Sequence, residues 1–230
     1  MNRKLIKYNT VSALLIALAL PIQSVHAECD DRRTSGMDWS GCRKTSKMLH
    51  ETDFSGSRFD DSDLSLSMFD NSDFTNASLV KADMTRVSAK NGRFVNTNLT
   101  KAVGYRAIFD SAVVRNSNLT KSEFLRASFK SAQIVSSDWS RSELGRIDFS
   151  GATIRDVDFY HSNLSRARFI KTRLEGVNFK DAYTYLTHFE GVDLRNTTNL
   201  SQQQIDISCG DLHTRLPEGR WVPDKWPCKE

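Results

Sequence analysis

Arg86, Arg106, Arg126, Arg146 and Arg166 stand twenty residues apart, and Lys81, Lys101, Lys121 and Arg141 repeat at the same interval five residues earlier, with His161 next in line. A guanidinium is a planar fork of donors that holds phosphate or carboxylate through paired bonds, so a column of them is chemistry for gripping an anion. Between the two basic series runs a third, Asp83, Val103, Glu123 and Glu143. These positions carry nine bases against three acids, +6 in a chain whose formal net charge is +4. The plainer account is that repeats duplicate whatever charge they carry and that the acids offset their neighbours through surface pairs worth under about 1 kcal/mol each.

Little else in the chain reads as reaction machinery. His50, His161, His188 and His213 belong to no metal-ligand or nucleophile spacing, and Ser162 beside His161 lacks the G-x-S-x-G setting of an activated serine. Cys29, Cys42, Cys209 and Cys228 are well separated, with no histidine at ligand spacing, so no zinc site is expected. The chain is therefore expected to be no enzyme and to carry no metal and no cofactor.

The columns mean something only if residues twenty apart are neighbours, and the apolar pattern says that they are. Stepping by five from Phe54 to Leu194 visits 29 positions, and all but Ala89, Gly104 and Thr184 are Phe, Leu, Ile, Val, Met or Trp. All 13 phenylalanines fall on this frame. The positions two residues earlier are small or β-branched, Ile147 being the one large exception. Helices repeat at 3.6 and strands at two, so a strict period of five fits neither. It fits a solenoid, in which every short segment sends the same residues inward.

The stretches Ala82-Asp83-Met84-Thr85-Arg86, Ser117-Asn118-Leu119-Thr120-Lys121 and Ser162-Asn163-Leu164-Ser165-Arg166 resemble the pentapeptide-repeat family, and the likeness runs over about residues 37 to 196. That resemblance implies an all-β fold, a right-handed quadrilateral parallel β-helix in which five residues make one side of a square coil and four sides make a turn. It also implies that the central large residue and the small one two before it point inward, a pairing of sizes that fills a narrow interior. Turns stacked at about 4.8 Å make a rod of roughly eight coils. Gly104 and Thr184 share one interior column, which is expected to be underfilled. Trp39 and Leu49 are in frame, placing the start of the first coil near Met37. Ser201-Gln202-Gln203-Gln204 reads as a capping box opening a short helix, with a stop near Gly210 and a packed cap beyond.

At the N-terminus, basic Arg3, Lys4 and Lys7 precede the apolar run Val11 to Leu20 and then Val25-His26-Ala27, the pattern of a secretory leader cut after Ala27. The apolar run is too short to span a bilayer, so no transmembrane anchor is expected. Removing residues 1–27 lowers the formal charge from +4 to +1, which makes the surface outside the basic face net acidic. In an oxidising compartment the simplest of three pairings joins Cys29 to Cys42 and Cys209 to Cys228, a staple at each end.

The expected organisation is a leader over 1–27, an N-terminal cap and first coil over 28–50, the repeat β-helix over 51–196 and a C-terminal cap with a short helix over 197–230. The expected function is that of an exported periplasmic or secreted binding or scaffold protein, contacting an anionic envelope polymer or an acidic protein through its basic face. The alternative is a purely structural rod. Some members of the resembled family mimic duplex DNA and regulate topoisomerase, but that role calls for an acidic length rather than a basic face. Nucleic acid is not an expected partner, whereas a homodimer formed through one end is compatible with a solenoid.

Overall fold

The computed structural model describes Cys29 and residues 34–228; the leader read from residues 1–27 lies outside the described residues. The chain winds as a quadrilateral parallel β-helix. One ladder of parallel bridges runs Asp38, Arg58, Ser78, Asn98, Asn118, Asp138, Asp158, Asn178, Thr198, eight steps of twenty residues. We call the sides face A to face D in chain order, centred on Phe54, Phe59, Leu64 and Phe69 and on the residues twenty apart from each. On face A the pairing is regular enough to form strands: β1 (Arg93–Val95), β2 (Val113–Arg115), β3 (Gln133–Val135), β4 (Thr153–Arg155) and β5 (Arg173–Glu175), parallel and in that order. Their register is the twenty-residue step, with Phe94 beside Val114 and Ile134 beside Ile154.

Backbone bonding explains why five residues suffice for a side. In the unit Ser72–Asn76 every N–H has its own destination. Ser72 N–H closes a turn onto Phe69 C=O at 3.1 Å, Asp73 N–H reaches back a coil to Thr52 C=O at 3.0 Å, and Phe74 and Asn76 N–H reach forward to Arg93 and Val95 C=O at 2.7 and 2.8 Å. The remaining N–H, of Thr75, points outward and donates to the Asp73 carboxylate at 2.8 Å. The fifth residue of each unit turns the corner. Stepping by five from Gly36 to Gly191, every corner residue has φ between 50° and 71°. Six of these corners are glycine; the rest hold a left-handed backbone that costs an ordinary L-residue about 1 kcal/mol or more.

The interior is a continuous column of apolar side chains. Phe74 stacks on Phe94 at 4.8 Å between centroids and Phe109 on Phe129 at 4.7 Å, which sets the spacing of every outward column as well. Small buried polar residues join the coils: Ser72 Oγ donates to Leu49 C=O at 2.9 Å and Thr97 Oγ1 to Phe74 C=O at 2.8 Å. The expected underfilling at Gly104 is not found. The Phe124 ring leans into that space, so that a Cβ on Gly104 would lie 2.2 Å from it. Thr184 is also fully buried, its hydroxyl donating to Gln204 C=O at 2.8 Å.

Both ends are closed by side chains as well as by backbone. At the first coil the in-frame residue Lys44 occupies a position the pattern reserves for an apolar group, and it is buried. Its ammonium lies 4.4 Å from the centre of the Trp39 ring and donates to Cys29 C=O at 2.9 Å, while Cys29 is disulfide-bonded to Cys42. At the other end, helix α1 (Gln202–Asp206) begins at a capping box made by Ser201 and Gln204. The Gln204 amide reaches Phe179 and Ala182 C=O at 2.7 and 2.8 Å, sealing carbonyls of the last full coil. The helix stops before the expected Gly210 because the chain is drawn back into the ladder: Leu186 N–H donates to Ile207 C=O at 2.7 Å, and His188 bridges Cys209. Trp226 then packs against Gly210, and Cys209 is bonded to Cys228.

Candidate anion-binding face

Face C is bounded by two corners, and the predicted basic residues occupy both of them. Lys81, Lys101, Lys121 and Arg141 form the corner leading into the face, with φ of 57° to 59°; Arg86, Arg106, Arg126, Arg146 and Arg166 form the corner leaving it, with φ of 55° to 60°. The Arg106 N–H donates to Leu125 C=O at 3.0 Å and the Arg126 N–H to Gly145 C=O at 2.9 Å, so the ladder holds each arginine in register with the next. All nine side chains are exposed.

The expected offsetting pairs are mostly missing. Lys81 Nζ lies 3.3 Å from Asp61, outside the acidic series, and His161 Nε2 lies 3.9 Å from Asp181. The other eight bases make no ion pair among the described residues. Asp83 instead accepts the Thr85 N–H at 2.8 Å, and Glu143 accepts from the Asn163 amide at 2.8 Å. Arg106 rests over its neighbour Tyr105, 5.2 Å from the ring centre.

Sequence reasoning missed the other outward column of this face: Thr85, Tyr105, Leu125, Gly145, Ser165 and Tyr185. Gly145 interrupts it, leaving a depression of about 310 Å³ lined by Tyr105, Leu125, Gly145, Ser165 and the arginines Arg126, Arg146 and Arg166. A lone glycine in the repeat phase, flanked by Leu125 and Ser165 twenty residues to either side, was the available signal. Larger hollows lie around the C-terminal cap, including one of about 490 Å³ bordered by His161, Tyr183, Asn199 and Gln203. Two exposed tyrosines, Tyr183 and Tyr185, stack near it at 6.2 Å.

Among the described residues no three His, Cys, Asp or Glu side chains gather as metal ligands. No helix among them is long and apolar enough to cross a membrane. Carboxyl groups held below their usual range lie toward both ends of the coil, Asp38 and Asp53 at one and Glu190, Asp193 and Asp211 at the other. The Arg195 guanidinium, which donates to Asp193 at 2.6 Å, holds that carboxyl below its usual range against a smaller opposing effect of burial.

A filled square coil with flat charged faces defines a class, the parallel β-solenoids that present surfaces rather than clefts. Within it the chain belongs to the pentapeptide-repeat family: the family model described as pentapeptide repeats (8 copies) matches residues 49–86, 82–120 and 142–181. Among solved structures it is similar to QnrB1, a plasmid-mediated fluoroquinolone resistance protein, at 17% identity over 80% of this chain and 89% of that one, with a TM-score of 0.50. It is also similar to HetL, a pentapeptide repeat protein involved in heterocyst differentiation regulation from the cyanobacterium Nostoc sp. strain PCC 7120, at 17% identity over 84% and 93%, TM-score 0.38. A third likeness is to a pentapeptide repeat protein of the Arabidopsis thaliana thylakoid lumen, at 22% identity over 51% and 78%, TM-score 0.33. These likenesses are of fold alone. No curated protein sequence matches the chain.

Proposed function

We propose that this protein is an exported, non-catalytic binding or scaffold rod whose face C holds an anionic partner, an acidic envelope polymer or an acidic protein. One observation carries the reading: the corners beside face C hold arginine and lysine in a left-handed backbone, and eight of these nine bases have no ion pair among the described residues. Glycine and asparagine are the residues that backbone favours. Stacking cations one coil apart adds repulsion on top of the backbone cost. A fold requirement therefore accounts poorly for them, and an anion laid along the column accounts well. The two disulfides suit an oxidising compartment, in keeping with export after the leader is cut.

The test is binding of the protein lacking residues 1–27 to lipopolysaccharide, to acidic cell-wall fragments and to polyglutamate across a salt series, beside the R106E/R126E/R146E variant. Affinity that falls steeply with salt and is lost in the variant is the expected result, because a one-sign stripe acts through screened Coulomb attraction. Equal behaviour of the two proteins would make the columns repeat inheritance and leave a structural rod.

A further inference from the structure

The geometry points to a discrete phosphoryl-binding notch at Gly145, built from the open Gly145 amide, the Ser165 hydroxyl and the guanidinium groups of Arg126, Arg146 and Arg166. This inference rests on the basic-face reading and narrows it to one place and one chemistry.

The first strand of the argument is backbone accounting. On face C the fourth N–H of each unit points outward, and it is satisfied wherever the outward residue two before it is Asp or Asn. Ser65 donates to Asp63 at 3.1 Å, Thr85 to Asp83 at 2.8 Å and Ser165 to Asn163 at 3.0 Å. Val103, Glu123 and Glu143 break that pattern, and the N–H groups of Tyr105, Leu125 and Gly145 have no partner among the described residues. Gly145 is also the one buried residue of its column. A buried donor left open is costly and calls for an acceptor from outside.

The second strand is shape. Gly145 does not have the positive φ of a corner, and an added Cβ would meet nothing closer than Ser165 Oγ at 3.5 Å, an ordinary contact. The backbone therefore does not require glycine here. What glycine does is leave open the depression that it lines, between arginines that the ladder keeps in register. The Ser165 hydroxyl makes no hydrogen bond among the described residues and can donate, the Asn163 side chain being taken by the Ser165 N–H.

The third is donor number. Three guanidinium groups, one amide and one hydroxyl exceed what the two coplanar oxygens of a carboxylate can accept, whereas a phosphoryl group offers three tetrahedrally disposed acceptors. Glu123 and Glu143 lie on the opposite column of the face and bias an anion toward the arginine side.

The experiment uses the disulfide-bonded protein and three probes: inorganic phosphate, phosphatidylglycerol vesicles and polyglutamate. In the wild type, phosphate should shift the Gly145 amide resonance more than any other on face C. G145A, which the backbone admits and which fills the depression only in part, should weaken phosphate modestly, and G145L, which fills it while leaving all nine bases, should weaken phosphate about tenfold or more. S165A should weaken it less. Vesicle binding that phosphate competes away and G145L abolishes would identify a lipid headgroup as the source; binding of phosphate without vesicles would identify a soluble phosphoryl group. Even perturbation of all nine bases, with G145L equal to wild type, overturns the notch while R106E/R126E/R146E still tests the face. If that triple variant also binds as wild type, both readings fail. Polyglutamate that is sensitive to G145L and not displaced by phosphate overturns the phosphoryl assignment in favour of a carboxylate-bearing protein.

Discussion

Faces A and C share one backbone and differ in what stands at their corners. Around face A the corners are filled mainly by Asn, Ser, Asp and Gly, and asparagines one coil apart bond to each other, Asn91 to Asn71 and Asn96 to Asn76, each at 3.1 Å. Around face C the same left-handed positions carry arginine and lysine. Asparagine tolerates that backbone through its short polar side chain, and a ladder of amides satisfies itself; arginine gains neither benefit. The difference separates what the fold needs from what has been added to it. Face A shows the corner serving the coil, and face C shows it carrying charge the coil does not use.

Interior substitutions should give the largest effects and should distinguish the two faces. Phe124→Ala on face C empties both its own site and the space over Gly104, so we expect a loss of about 5 kcal/mol in urea unfolding, the upper end for such truncations. Ile134→Ala on face A should cost about 3 kcal/mol. Equal losses would mean that the coil closes around the missing ring. Next comes exchange at the corners. Arg126→Asn should stabilise the protein by roughly 0.5–1 kcal/mol, and Asn96→Arg should destabilise it by a similar amount, since the left-handed strain moves with the side chain. The same sign for both substitutions would undo the contrast drawn above.

Salt should give a smaller signal. Added NaCl screens repulsion within the arginine column, so the wild-type melting temperature should rise by a degree or so, roughly a few tenths of a kcal/mol, and R86N/R106N/R126N should lose that rise. The smallest effect is expected from acid, at the end of face A. Asp193, held down chiefly by the Arg195 guanidinium, has a folded pKa below its unfolded one. Its contribution is therefore present above the usual carboxylate range and lost as pH falls through the depressed value. Asp193→Asn should flatten the acid limb of the stability profile slightly, and an unchanged limb would show that the pair is too exposed to matter.

Much of this was legible because a period of five is a local signal repeated many times. Phe74, Phe94 and Phe109 could be placed inside, and Arg106, Arg126 and Arg146 in one outward column, from arithmetic alone. Lys44 escaped because its type argues against its position, and the Trp39 ring and the Cys29 carbonyl help to make its burial tolerable. Gly104 misled because a missing side chain suggests a void, whereas a neighbouring ring can lean into it. Gly145 was overlooked because its effect is seen only against the residues above and below it.

By itself the sequence determined the coil, the inward and outward sets, and the two basic series, since each follows from residue type at a fixed interval. Only the tertiary structure decided that those series sit on left-handed corners, that eight of their nine charges make no ion pair among the described residues, and that the Gly145 N–H is left without a partner there, beside the arginines. Those properties belong to the space between coils, where a side chain's partners come from residues twenty positions away and depend on whether each neighbour fills, leans or leaves room.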